Sequence, residues 1–421
     1  MNKLQKSSDE RKKAVKTITL GCRFNFYESE VAKSIITNLE PNSDIVVINT
    51  CSVTHEAERQ SRQFVRKAIR ENKGAKIIVT GCAAKTSFDY FKNLEGVFKV
   101  VQNDEKDNIE PYLDIPHNSD KIKPLANGED FFQGRVRAFL EIQNGCNHFC
   151  AYCIVPFTRG RSRSFPIEEI LKKVGSFIKS GIKEITLSGI DITSYGLDIG
   201  GNIELADVIE SIFKTYPDFK RLRISSVDPA AISDRLLNLF INEKRILPHF
   251  HLSIQSGDND VLKAMRRRHT REDVIKICRK IKEARKEAVF GCDLLVGFPT
   301  ETKEMFQNTL TLIDEANLSL AHAFAYSLRP GTVAASMIQH PRDVILKRGK
   351  LLRKKAKEAR LKLFSSLVGT NMPVIIESSK DGVFYGKTDS FIPFRTSLKG
   401  FQSGDVVQLK VFDFDSEMLI M

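Results

Sequence analysis

The stretch "EIQNGCNHFCAYCIVPFTRGRSR", residues 141–163, carries Cys146, Cys150 and Cys153 with the spacing C-x3-C-x2-C. Three thiolates on one short loop can bind a single inorganic centre. A structural zinc site needs four protein ligands, so His148 or a distant residue would have to be the fourth. An iron–sulfur cubane held by three cysteines leaves one iron open, as a reactive cluster requires. This chemistry favours the open cluster, while zinc and three buried structural thiols stay as alternatives.

The sequence around these cysteines alternates between β-rich runs and helix-like segments such as residues 273–287. The six β-rich runs are "AFLEIQ" (138–143), "EITLSG" (184–189), "RLRISSV" (221–227), "HFHLSIQSG" (249–257), "CDLLVGFP" (292–299) and "LAHAFAYS" (320–327). Such a pattern predicts an α/β fold with a partial (β/α)6 barrel, whose ligands bind at the carboxyl ends of the strands. The residues at these ends that we select as candidates for a cofactor pocket are Ser188, Gly189, Ser253, Gln255, Gly297 and Glu301.

Three more cysteines follow β-branched runs in the first hundred residues. "KTITLGC" ends at Cys22, "DIVVINTC" at Cys51 and "AKIIVTGC" at Cys82. Runs of this kind are typical of buried parallel strands, and neighbouring parallel strands end at one edge of a sheet. We therefore predict an open parallel α/β domain with a second three-thiolate metal site; small buried residues at strand ends are the alternative. The remaining Cys278 and Cys292 lie in apolar patterns and are interpreted as packing residues.

The cysteine loop resembles that of the radical S-adenosylmethionine (SAM) superfamily, in which an aromatic residue, here Tyr152, precedes the third cysteine. The resemblance implies that Cys146, Cys150 and Cys153 ligate a [4Fe–4S] cluster whose open iron binds SAM. It also implies that Ser188 and Gly189 lie near the methionine amine and that Ser253 and Gln255 face the ribose. Gly297 and Glu301 would belong to the segment that contacts adenine.

The combination of this domain with "TLGCRFNFYESE", "NTCSVT" and "TGCAA" resembles the methylthiotransferase family. Membership implies a second [4Fe–4S] cluster on Cys22, Cys51 and Cys82 and transfer of a methylthio group to a tRNA adenosine or a ribosomal-protein aspartate. "GIDITSYG", "RISSVDP" and "NTCSVTHEAERQSRQ" resemble the branch that acts on N6-threonylcarbamoyladenosine at tRNA position 37. The isopentenyladenosine and ribosomal-protein branches stay as alternatives. The implied partners are tRNA, an electron donor such as a flavodoxin, and a sulfur donor.

The charge of the chain agrees with a nucleic-acid partner. Its formal net charge is +13 and its pI is about 9.2, which favours a polyanion. The arginines that we select as candidate RNA contacts are Arg59, Arg62 and Arg66 on a predicted helix and Arg159, Arg161 and Arg163 after the cluster loop. A non-catalytic, zinc-containing RNA-binding protein is the alternative from another functional class.

The predicted domains are the N-terminal α/β domain (15–102), a polar linker (103–134), the radical SAM domain (135–365) and a small β-barrel (366–421). By position, that barrel resembles the RNA-binding TRAM domain, although its five Lys/Arg and seven Asp/Glu give a net charge of −2. No apolar run approaches the roughly 18 residues of a membrane span. We expect disorder in the first 14 residues and, because they are polar and lysine-rich, a cytoplasmic location. The oligomeric state stays open.

Overall fold

A computed structural model describes residues 14–40, 43–106 and 135–421 of the chain. They form two compact units, one before and one after residue 126, which are described separately. Most of the predicted linker and nearly all of the predicted disordered start lie outside the described residues. The domain limits given above stay predictions.

The first unit is a four-stranded parallel sheet in the order β1-β2-β3-β4. The strands are β1 (Val15–Thr19), β2 (Ile45–Thr50), β3 (Lys76–Gly81) and β4 (Val97–Val101). The helices are α1 (Arg23–Leu39), α2 (His55–Glu71), α3 (Cys82–Thr86) and α4 (Phe88–Lys92). This arrangement confirms the predicted open α/β domain.

Strand β2 shows why this sheet is covered on both faces. Successive side chains of a strand point to opposite faces. Val47 packs in one core cluster with Ile36 of α1, while Ile48 packs in another with Val65 of α2. The β-branched run of β2 is therefore buried along its whole length.

The second unit contains six parallel strands in sequential order, as predicted for a partial barrel. They are β5 (Arg137–Asn144), β7 (Glu184–Gly189), β8 (Leu222–Ile224), β9 (His249–Gln255), β10 (Val289–Val296) and β11 (Leu320–Ala325), and the short β6 (Arg163–Ser164) pairs antiparallel with β5. Parallel ladders join β5, β7 and β8, and also β9, β10 and β11. Single bridges, Leu222 with Ile246 and Val227 with Leu252, connect the two groups.

Helices connect the strands of this barrel. They are α5 (Val155–Arg159), α6 (Ile167–Lys179), α7 (Leu205–Thr215), α8 (Asp234–Asn242), α9 (Asn259–Ala264), α10 (Arg271–Ala284) and α11 (Lys303–Glu315). Cys278 of α10 and Cys292 of β10 are both buried, in agreement with a packing role. Along β9, fully buried Leu252 and Ile254 alternate with partly exposed His251 and Ser253, so the polar residues line the inner face.

A long helix, α12 (Arg342–Leu367), leads to the C-terminal sheet. That sheet contains β12 (Asn371–Lys380), β13 (Val383–Thr388), β14 (Pro393–Thr396), β15 (Val406–Lys410), β16 (Asp413–Phe414) and β17 (Leu419–Ile420) in the order β15-β12-β13-β14-β17-β16. Val374, Phe394 and Leu419 share its core with Phe364 of α12. The sequence predicted a small β-barrel here, and this curled sheet is consistent with that prediction. Among the described helices, none has the length and hydrophobicity to cross a membrane.

A buried charge network connects the barrel with the C-terminal sheet. Glu184, at the start of β7, accepts hydrogen bonds from Arg223 Nε at 2.8 Å and from Arg221 Nη2 at 3.1 Å. Arg221 also donates to Asp389 Oδ1 at 2.6 Å, in the loop after β13. Although burial opposes ionisation, Arg223, Arg137 and Arg221 hold the pKa of Glu184 at about 2. The carboxylate therefore stays charged inside the protein.

Candidate metal centres and cofactor site

The three cysteines of the first unit follow three neighbouring strands. Thr50 of β2 pairs with Gly81 of β3, so Cys51 and Cys82 occupy equivalent positions just beyond the strand ends. Thr19 of β1 pairs with Asn49, and Cys22 caps the N-terminus of α1 shortly after β1. The parallel topology thus brings Cys22, Cys51 and Cys82 to one edge of the sheet, as predicted.

Two glycines allow the backbone at this edge to pack closely. Gly21 has φ +94°, and a Cβ built on it would lie 2.9 Å from Cys51 Sγ. Gly81 has φ +99°, and its Cβ would lie 2.2 Å from the Thr50 carbonyl oxygen. Both positions require the left-handed backbone and the small volume of glycine. The close packing at this edge therefore requires glycine immediately before Cys22 and Cys82.

The surroundings of these sulfurs fit ligation of a metal cluster. Asn103 donates from Nδ2 to Cys82 Sγ at 3.7 Å, and Cys22 Sγ lies 3.6 Å from Asn25 Oδ1. Asn25 is itself held by hydrogen bonds from its Nδ2 to the carbonyls of Leu20 and Thr50, at 2.8 and 3.0 Å. Amide donors directed at sulfur are a known means of tuning an iron–sulfur centre. Three sulfurs at one edge with an amide donor fit a three-cysteine cluster.

In the second unit, the loop that carries Cys146, Cys150 and Cys153 is held at both ends. The Cys146 N–H donates to Gly160 O at 3.2 Å, and the Ala151 N–H donates to Met265 O at 3.0 Å. Phe149 adopts a left-handed conformation with φ +48°, which turns the chain between the first two cysteines. These hydrogen bonds and this turn fix the conformation of the cysteine loop.

Gln143, a residue that our sequence analysis did not select, braces this loop from below. Its fully buried Nε2 donates to Gly145 O at 2.8 Å and to Ser162 Oγ at 2.9 Å. Its Oε1 accepts from the Asp191 N–H at 2.8 Å. A Cβ on Gly189 would lie 2.9 Å from this Oε1, so glycine is needed beside it. The only feature of the sequence that could have indicated Gln143 is its position as a polar residue at the end of a buried strand.

Nitrogen donors point at the sulfurs of this loop. Arg267 Nη1 donates to Cys150 Sγ at 3.5 Å, and the His148 backbone N–H donates to Cys146 Sγ at 3.5 Å. Burial raises the pKa of the Cys146 thiol to about 11 and that of Cys153 to about 12. A bound metal would deprotonate such thiols. Three grouped thiols with N–H donors fit an iron–sulfur cluster held by three cysteines.

Asp228 forms ion pairs that hold Arg267 in position. Its carboxylate lies 3.3 Å from Arg267 Nη2, 3.4 Å from Arg268 Nη2 and 3.4 Å from His269 Nδ1. Although burial opposes this effect, His269 and Arg267 hold the pKa of Asp228 well below its usual range. Arg267 in turn donates to Ser253 O at 2.5 Å. The sequence analysis did not select Arg267 as a site residue.

His148, the possible fourth zinc ligand, has other partners. Its Nε2 lies 2.6 Å from Asp191 Oδ2 and 3.0 Å from Arg268 Nη2. The atoms of Cys146, His148 and Asp191 that could ligate a metal lie within 4.8 Å of one another. This grouping leaves out Cys150 and Cys153, so it is not the zinc site of three cysteines and one histidine considered above.

The predicted cofactor residues lie at the carboxyl ends of β7 and β9 and in the cysteine loop. Tyr152 packs beside Ala151, and burial raises its pKa well above the usual range. Ser188 is buried, while Ser253 and Gln255 are partly exposed. Gln255 has φ +77°, which turns the chain directly after β9. Their assignment to SAM stays a proposal.

Gly297 and Glu301 form a braced turn after β10. The Gly297 N–H donates to Glu301 Oε1 at 2.8 Å, and Arg348 of α12 donates to the same oxygen at 2.6 Å. Glu301 is fully buried, and burial raises its pKa despite these partners. These contacts show Glu301 holding the turn in shape, while direct contact of Gly297 or Glu301 with adenine stays a proposal.

The six predicted RNA-binding arginines have different environments. Arg59 pairs with Glu56 at 2.6 Å, Arg62 pairs with Glu58 at 2.8 Å, and both Arg62 and Arg66 lie over the ring of Tyr90. Arg161 is exposed over the ring of Phe149, 4.7 Å from its centroid, and Arg163 is also exposed. Arg159 is only 5% exposed, which argues against direct contact of its side chain with RNA. Helix α5 turns its side chain inward, which a run of charges does not reveal.

Comparison with known families identifies both units. Residues 140–313 match the Radical SAM superfamily, and residues 14–102 match a family described as uncharacterized protein family UPF0004. The structure of TsrM from Kitasatospora setae, a radical SAM methyltransferase, aligns with 77% of this chain and 75% of its own at a TM-score of 0.53 and 14% identity. That likeness supports the fold, and the superfamily match overturns the alternative of a non-catalytic zinc protein.

Full-length relatives narrow the family. Threonylcarbamoyladenosine tRNA methylthiotransferase MtaB of Rickettsia prowazekii (strain Madrid E) is 41% identical over 387 residues, which are 90% of each chain. The MtaB protein of Bacillus subtilis (strain 168) is 34% identical over 93% of this chain and 92% of its own. The tRNA-2-methylthio-N(6)-dimethylallyladenosine synthase of Ehrlichia canis (strain Jake) is 32% identical over 87% and 89%. This chain therefore belongs to the radical SAM methylthiotransferase family.

Proposed function

We propose that this protein adds a methylthio group to C2 of N6-threonylcarbamoyladenosine at position 37 of tRNA. The observation that carries the proposal is the 41% identity to the Rickettsia prowazekii threonylcarbamoyladenosine enzyme over 90% of both chains. The dimethylallyladenosine synthase of Ehrlichia canis, at 32% identity, supports the alternative substrate less strongly. A reaction on tRNA agrees with the net charge of +13 and with a cytoplasmic location.

We assign one [4Fe–4S] cluster to Cys146, Cys150 and Cys153 and a second to Cys22, Cys51 and Cys82. When bound, the first supplies the electron that cleaves SAM and the second carries the sulfur that is transferred. An electron donor such as a flavodoxin and a sulfur donor complete the proposed partners.

Residues of the chain fix the cysteine loop and the charge beside it. Gln143 fixes the cysteine loop, and Arg267 places a buried positive charge beside Cys150 and the carbonyl of Ser253. A cation next to a thiolate stabilises its negative charge. Asp228 holds that cation in place, so Arg267 and Asp228 act as positioning residues.

Nucleoside analysis tests the substrate directly. The reconstituted enzyme would be given SAM, a reductant and tRNA that carries either threonylcarbamoyladenosine or isopentenyladenosine, and the digested nucleosides would be measured by mass spectrometry. We expect a methylthio product from the first tRNA alone, and none with Cys150→Ala. A product from the isopentenyl tRNA, or no product from the threonylcarbamoyl tRNA, would contradict the substrate assignment.

A further inference from the structure

Three strands of the barrel place two histidines and an aspartate side by side on the inner face. Asp293 of β10 pairs in register with His322 of β11, and Gly291, two residues earlier on β10, pairs with His251 of β9. Residues that pair in a parallel ladder share a face of the sheet. His251, Asp293 and His322, which we call the inner triad, therefore project from the same side of three adjacent strands.

The distances within the inner triad match those between ligands of one metal ion. Asp293 Oδ1 lies 3.1 Å from His251 Nε2 and 3.4 Å from His322 Nδ1. One ligand atom from each residue lies within 4.8 Å of the others. Zinc bonds of about 2.0–2.2 Å place neighbouring tetrahedral ligands roughly 3.3–3.6 Å apart. Small side-chain adjustments would satisfy such a geometry.

Gly291 provides the space for this arrangement. A Cβ on Gly291 would lie 2.8 Å from His251 Nδ1 and 3.1 Å from His249 Nε2. Because Gly291 has no side chain, the imidazoles of His251 and His249 can lie against β10. On the opposite face, Leu252 and Cys292 are completely buried, so the triad is a polar group on the inner face.

Charge and exposure also suit a cation. The carboxylate oxygen Oδ1 of Asp293 faces a ring nitrogen of both His251 and His322. The side chain of His322 is 61% exposed, which leaves the triad open to ions from solvent. Neutral imidazoles and a carboxylate form the ligand set of zinc sites with three protein ligands and an open position.

We propose that His251, Asp293 and His322 bind one divalent transition-metal ion, best fitted by Zn²⁺, with a coordination position open to the barrel interior. The site uses no cysteine, so it differs from both proposed clusters, and it goes beyond the methylthiotransferase reaction. A water or an oxygen of a bound molecule would complete the coordination.

Zinc binding by the holoenzyme tests this proposal. Full-length protein with both clusters filled would be titrated with Zn²⁺ against a chromophoric chelator, together with His322→Ala and Asp293→Asn. We expect one Zn²⁺ per wild-type chain and at least about tenfold weaker binding in each variant. His55→Ala, which removes an exposed imidazole from α2, is the matched control and should bind like wild type.

Zinc K-edge X-ray absorption distinguishes this site from zinc that has replaced cluster iron. Nitrogen and oxygen neighbours at about 2.0–2.2 Å would support the proposal, whereas sulfur at about 2.3 Å would mean that the zinc lies on cysteines. Absence of zinc uptake by the wild type, or equal uptake by all four proteins, would overturn it. The tRNA assay is independent of this result, so the two proposals can fail separately.

Discussion

Phe391 stacks on His249, with ring centroids 5.1 Å apart and an interplanar angle of 27°. His249 is the first residue of β9, and Phe391 lies in the loop between β13 and β14 of the C-terminal sheet. Arg137 and Arg223 also lie over the Phe391 ring, 5.4 and 4.8 Å from its centroid. The C-terminal sheet therefore contacts the N-terminal ends of the barrel strands, opposite the end that carries the cysteine loop.

Phe391→Ala should destabilise the second unit by about 2–4 kcal/mol, because it removes an aromatic stack and the three cation–π contacts of Arg137, Arg223 and Lys387. Denaturant titration followed by circular dichroism would measure the effect. Phe412→Ala is the control, since that ring is 59% exposed, and it should change stability by less than about 0.5 kcal/mol. Equal effects of the two substitutions would refute a docking role for Phe391.

Glu184→Gln should cost about 3–5 kcal/mol of stability near neutral pH, because it removes the carboxylate partner of buried Arg223 and one of the two carboxylate partners of Arg221. Glu210→Gln removes the exposed partner of Arg235, whose side chain is 45% exposed, and should cost less than about 1 kcal/mol. Comparison of the denaturation midpoints of both variants with that of wild type measures the two effects. A loss at Glu184 no larger than that at Glu210 would show that the buried network contributes little.

The effect of Glu184→Gln should also depend on pH. The pKa of Glu184 falls from 4.5 to about 2 in the folded protein, where Arg223, Arg137 and Arg221 outweigh the opposing effect of burial. The ionised carboxylate therefore stabilises the fold above pH 4.5, and this contribution is lost as the pH falls towards 2. The stability difference between wild type and variant should shrink across that window. A difference that is constant from pH 7 to pH 2.5 would contradict this ionisation.

Gly81→Ala should prevent assembly of the cluster on Cys22, Cys51 and Cys82, since the new Cβ would lie 2.2 Å from Thr50 O. Iron after reconstitution should fall from about eight to about four per chain. Gly74→Ala is the control, because Gly74 has a similar φ of +89° and nothing within 4 Å of its Cβ position. An unchanged iron content in Gly81→Ala would show that assembly of this cluster does not depend on glycine at position 81.

Charge reversal at both Arg161 and Arg163 should weaken tRNA binding and reduce its salt dependence, because both exposed side chains follow the cysteine loop. Arg279→Glu with Lys280→Glu on α10 makes the same change in net charge at another exposed position and serves as the control. Binding would be measured at several salt concentrations. Equal losses in the two double variants would indicate a general charge effect in place of a contact.

The sequence was sufficient to predict the strands and the cysteine groups, because both depend on local patterns. β-branched runs identify buried strands, and parallel topology brings their carboxyl ends together, so Cys51 and Cys82 could be placed at one edge. The six barrel strands followed from the same reasoning.

Contacts between residues distant in the chain could not be predicted in this way. Arg267 lies 117 residues from Cys150, and Arg221 lies 168 residues from Asp389. No periodicity links such pairs, because the tertiary fold alone brings them together. Arg159 illustrates the same limit, since neighbouring charges of one sign gave no information on which side chain is buried. The acidic C-terminal sheet likewise gave no sign that Asp389 would pair with barrel arginines.

The central claim, two clusters on two sets of three cysteines, is tested by iron and acid-labile sulfide measured per chain after anaerobic reconstitution. Wild type should contain about eight iron atoms, and the triple variant Cys146→Ala, Cys150→Ala, Cys153→Ala should contain about four. Zinc without sulfide, or complete loss of iron in the triple variant, would contradict the account.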